Sequence, residues 1–179
     1  MADALVPRSW VMRALYLVLC ITLLFLHLLP LEHMPPKWAG PDFVMALTFA
    51  WAVRRPDYVP VLLVAVVTLG LDLMLQRPPG LWAALMVIGT QTLRNRAPSL
   101  RDLTFAAEWA SVASTMVLIT VANRVILALL MVDQAPLGLS LMQLLSTLVA
   151  YPAMAILSHV LLGVRKRAPG DLDTAGPRL

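Results

Sequence analysis

One cysteine, Cys20, stands in a chain of 179 residues, so no intrachain disulfide can form. Charge is also scarce. Only 13% of residues are charged, against about 25% in a soluble domain. The three histidines, His27, His33 and His159, are scattered without ligand spacing, so neither a metal site nor a triad is indicated. HExxH, GxSxG and a phosphate-binding glycine loop are all missing. What is abundant is apolar: 60% of the chain is hydrophobic. That much apolar surface needs a solvent other than water, and long apolar runs read as membrane-spanning helices. The formal charge of +4 does not indicate nucleic acid, because the basic residues form short clusters between apolar runs rather than one basic face.

Six apolar segments follow one another, at about 10–31, 41–53, 58–75, 80–93, 103–132 and 137–164. Their predicted fold is an all-α, six-helix transmembrane domain over 1–165, with a disordered cytoplasmic tail at 166–179. Pro35, Pro36, Pro78, Pro79, Gly80 and Pro136 punctuate the runs. Pro41 suits the first turn of the second helix, where a missing N–H costs nothing. The first run has arginines before it, but Leu29-Pro30-Leu31-Glu32 offers no small-residue cleavage site. It reads as an uncleaved helix. The second and fourth segments are short and need thinned lipid, snorkelling flanks or a protein shield.

Orientation follows from lysine and arginine. With the N-terminus inside, 11 of them fall in inner connections and only Lys37 and Arg77 in outer ones. This count predicts that both termini are cytoplasmic. Trp10, Trp51 and Trp109 then belong to an inner interfacial belt, and Trp38 and Trp82 to an outer one.

Two carboxylates, Asp72 and Glu108, lie several residues inside apolar runs, where they need partners. Asp72 sits among Leu71, Leu73, Met74 and Leu75. Arg124 is the one cation deep inside a segment and reaches similar depth, so an Asp72–Arg124 ion pair is the economical expectation. The alternatives are the N–H groups of the 77–80 turn and the Arg77 side chain. Glu108 and His159 form a second depth match near the inner side. Either they pair, as in a proton relay, or Glu108 reaches an inner arginine and His159 bonds a neighbouring helix. Small residues four apart, Ala106 with Ala110 and Ser111 with Thr115, predict close packing of the fifth helix. Gln143, Ser146 and Thr147 give the sixth a polar face expected against the fifth. Pro152 should bend that helix.

The segment GPDFVMALTFAWAVRRPDYVPVLLVAVVTLGLDLMLQRPPGLWAAL resembles the rod shape-determining protein MreD family. The matching features are Pro41, Trp51, Pro56, the late Asp72, Gly80 and the Tyr151-Pro152 pair. The chain departs where that family often has glycine four residues before the acid; here it is Thr68. The resemblance implies a non-enzymatic scaffold, without cofactors, in the bacterial inner membrane. It implies association with an MreC-like protein and, through it, with the MreB filament, the RodA polymerase and its transpeptidase. It also implies a fold similar to the substrate-binding subunits of energy-coupling-factor transporters. The alternative function is therefore a vitamin-type transporter subunit. That role needs an outward pocket with convergent polar groups, and the outer connections are short and poor in such groups.

Overall fold

The computed structural model describes residues 8–29, 39–100 and 103–162. These form six α-helices and no strand: α1 Arg8–Leu28, α2 Phe43–Arg54, α3 Val61–Met74, α4 Leu81–Leu100, α5 Phe105–Leu129 and α6 Leu137–Leu162. A 3-10 turn, Pro56–Tyr58, joins α2 to α3. Three helices, α1, α5 and α6, are long and apolar enough to cross a membrane. The 166–179 tail lies outside the described residues.

The shortest helix lies at the centre. Ten consecutive residues of α2, Val44 to Val53, are buried. Twelve residues rise only about 18 Å, yet α2 is enclosed by α4, α6, α1 and the 3-10 turn. Protein shielding is thus how this short apolar segment is accommodated. Ala46, Ala50 and Ala52 are fully enclosed, and their small side chains let neighbours approach. At Gly89 of α4 a Cβ would meet the Ile119 side chain, with Phe49 Cζ at 3.1 Å and Thr115 Cγ2 at 3.3 Å. Glycine there is what allows α4 to lie against α2 and α5.

The outside of the bundle is greasy. Leu62, Leu118, Leu129, Val149 and Val160 are each at least two-thirds exposed. A surface of this kind fits hydrocarbon, where it forms no interface with water.

Several local expectations change. Pro41 precedes α2 instead of opening it. Asp42 is the N-cap, and its Oδ1 accepts from the Met45 N–H at 2.9 Å. An acidic residue at that position also meets the positive end of the helix dipole. On α5 the buried stripe is Glu108, Val112, Thr115, Met116 and Ile119. Ala106 and Ala110 are exposed, so that small-residue pair is not the packing seam. The polar face of α6 meets the start of α2 rather than α5: Thr147 Oγ1 accepts from the Asp42 N–H at 2.9 Å, and the Ser146 hydroxyl donates to Ala39 O at 3.4 Å.

Helices α3 and α5 end the same way. Gln76 and Met131 both have φ of 53°, and the next residues, Arg77 and Val132, donate back to Asp72 O and Leu127 O. This is the Schellman arrangement, which satisfies the last helical carbonyls. Left-handed backbone costs a non-glycine residue about 1–2 kcal/mol.

Candidate functional site

Polar side chains gather at two ends of the bundle. At the first, α2 runs into the 3-10 turn and α5 begins. Arg54 Nε lies 3.0 Å from Glu108 Oε1, and Arg54 Nη1 donates to Ala155 O at 2.8 Å. The Tyr151 hydroxyl donates to the same Glu108 Oε1 at 2.9 Å. One carboxylate oxygen therefore joins α2, α5 and α6. Glu108 and Tyr151 are fully buried, so both bonds are shielded from competing water. His159 is exposed and takes part in neither bond. Of the two readings of Glu108, the geometry is that of the inner arginine and not of the His159 pair: Glu108, Arg54 and Tyr151 form one clip. The sequence named an inner arginine as a partner for Glu108 without singling out Arg54. Being last in α2, it can turn back along the bundle and over the Phe105 ring, 5.9 Å from its centroid.

Trp51 lies beside this clip and is fully buried, so it does not belong to an interfacial belt. Its ring sits 5.8 Å from Tyr16 and 6.1 Å from Tyr58, and its Nε1 donates to Ser158 Oγ at 3.0 Å. A buried indole N–H needs such an acceptor. Tyr16 in turn shares a 2.8 Å hydrogen bond with Thr48 Oγ1. Arg13 donates to Asp57 O and Arg94 to Val59 O. The turn that Pro56 opens is therefore where α1, α2, α3 and α4 are tied together. Pro152 lies within a continuous α6. Lacking an N–H, it leaves the Leu148 carbonyl without its helical donor, and Trp109 Nε1 donates to that oxygen at 3.2 Å.

Asp72 and Arg124 lie toward the other end, and the expected pairing is corrected there. Asp72 is fully buried. Its Oδ2 accepts from the N–H groups of Gly80, at 3.0 Å, and Ala83, at 3.1 Å. The carboxylate of α3 thus caps α4, supplying acceptors and negative charge where the first-turn donors are orphaned. Gly80 has φ of +90°, a left-handed conformation that suits glycine, and so turns its N–H onto the acid. Among the described residues, Oδ1 of Asp72 has no hydrogen-bond partner. Arg124 instead donates through Nη1 to Ala135 O at 3.1 Å and Ser140 Oγ at 2.6 Å, staying on the α5–α6 side.

Between the α3–α4 and α5–α6 connections lies a cavity of about 320 Å³. Arg77, Arg124, Asp42, Asn123 and Gln143 are among its walls. This overturns the expectation that short connections would gather few polar groups. With Leu81 and Trp82 of α4, the lining comes from five helices or their ends, so no single stretch of sequence announced it. Among the described residues no cluster of three or more potential metal ligands occurs.

The chain matches no family model, no curated protein and no solved structure.

Proposed function

We propose that this chain is a non-enzymatic scaffold of the bacterial cell-elongation complex in the inner membrane. In this reading all six helices cross the bilayer with both termini cytoplasmic. Its partners are an MreC-like membrane protein and, through it, the MreB filament, the RodA polymerase and its transpeptidase. The observation that carries the reading is what the residues of the MreD-like pattern do. Asp72 and Gly80 join α3 to α4, and Trp51 joins α2 to α6 and to Tyr16 of α1. Pro56 opens the turn where arginines from α1 and α4 bond. Tyr151 completes the Glu108 clip. Each serves to fix one helix arrangement, as a scaffold requires. The two fully buried carboxylates among the described residues, Asp72 and Glu108, are bonded as joints of that arrangement.

Depleting the protein in its host tests the reading. Cells should round or widen while isolated polymerase activity persists.

A second reading is favoured by the polar cavity, which is the kind of pocket a transporter's substrate-binding subunit presents. Under that reading depletion leaves shape normal and abolishes uptake of one nutrient.

A further inference from the structure

The polar cavity does not stand alone. A second, mostly apolar cavity of about 260 Å³ adjoins it. Leu23, Leu24, Phe43, Val44, Leu71 and Leu75 are among its walls. Asp42, Arg77, Trp82 and Gln143 line both cavities, so the two share one wall. A charged compartment beside an aliphatic one is the shape of an amphiphile.

We propose that this paired cavity binds one phospholipid with a zwitterionic phosphate-and-ammonium headgroup, its head in the polar compartment and part of a chain in the apolar one. Charge selects the head. The polar compartment contains two guanidiniums, Arg77 and Arg124, and two carboxylates, Asp42 and Asp133. A head with one phosphate and one ammonium meets both signs, whereas a purely anionic head leaves the carboxylates without a cation. Arg124 spends Nη1 on Ala135 and Ser140, which fixes its plane and leaves other N–H donors for phosphate. Arg77 lies over the Trp82 ring, 5.5 Å from the centroid, and is held at the shared wall. The side-chain amides of Asn123 and Gln143 line the cavity without a hydrogen bond of their own among the described residues. They supply donors and acceptors for the head at no cost to existing bonds.

Native mass spectrometry of the full chain, released from mild detergent, measures the binding. The probes are phosphatidylethanolamine, phosphatidylglycerol and chain-free glycerophosphoethanolamine. One phosphatidylethanolamine should bind per chain, at least tenfold more tightly than phosphatidylglycerol, and the chain-free head should bind at least tenfold more weakly than the lipid. Arg77→Gln should weaken lipid binding at least fivefold. Asn123→Leu, whose wild-type side chain makes no internal bond, should do so while leaving thermal stability unchanged. Leu75→Trp should fill the apolar compartment and weaken the lipid more than the chain-free head. Equal binding of the two lipids overturns the proposal. So does equal binding of lipid and free head, which points to a soluble ligand, or unchanged lipid binding in Asn123→Leu.

Discussion

Asp72 shows how one residue acquires its role from its neighbours. A buried carboxylate needs either a cation or several donors, and here the start of the next helix supplies the donors. Asp72→Ala should cost about 1–3 kcal/mol, the penalty for orphaning buried donors. Asp72→Asn keeps one oxygen acceptor and should cost less. Combined with Arg124→Gln it should be additive to within about 0.5 kcal/mol in detergent melts. A larger coupling would restore the ion pair. Glu108 is the opposite case, with a true partner. Removing either member of a buried pair costs about 3–5 kcal/mol, so Arg54→Gln and Glu108→Gln should each be severe. The double variant should fall well short of their sum, with a coupling above about 1 kcal/mol. Tyr151→Phe removes a bond to a charged acceptor and should cost about 1.5–3 kcal/mol. Depth along the chain matched Asp72 with Arg124 and Glu108 with His159. Depth says nothing about which side of a helix a residue occupies, so both matches gave way to their alternatives: an N–H of the 77–80 turn for Asp72 and an inner arginine for Glu108.

Elements were more legible than contacts. The existence of all six helices followed from apolar runs and proline punctuation, because those signals are local. The α4 boundary did not: the run ends at Leu93, yet the helix continues to Leu100 through Arg94 and Arg96. Arginine is a good helix former, and Arg94 is anchored on Val59 O. Trp51 was misplaced because an aromatic beside charged residues reads as interfacial, whereas α2 is enclosed on every side. The helix ends give a prediction of their own. Met131 is left-handed and 93% exposed, so its side chain contributes little packing. Met131→Gly should relieve about 1 kcal/mol of strain, seen as a higher melting temperature in detergent. A lower one would mean that the side chain is packed against something.

For the whole molecule, composition pointed to the class, and internal bonds are what supports the proposed role. Arg13 and Arg94 bond to the connection around the 3-10 turn, and Arg54 ends α2 beside it; the lysine and arginine count assigns all three to the inner side. Reporter fusions should therefore place 54–57 and the C-terminal region on the cytoplasmic side; a periplasmic signal at Arg167 would overturn that orientation. The polar cavity was not legible at all, since its walls come from ends of helices far apart in sequence. That cavity is also the feature a transporter subunit would share, so the partners decide between the readings. The most direct measurement is affinity purification from mild detergent, with identification of the proteins that come with the chain. The scaffold account predicts an MreC-like protein together with the RodA polymerase and its transpeptidase. Recovery instead of a membrane coupling subunit with a pair of ATPases would contradict it.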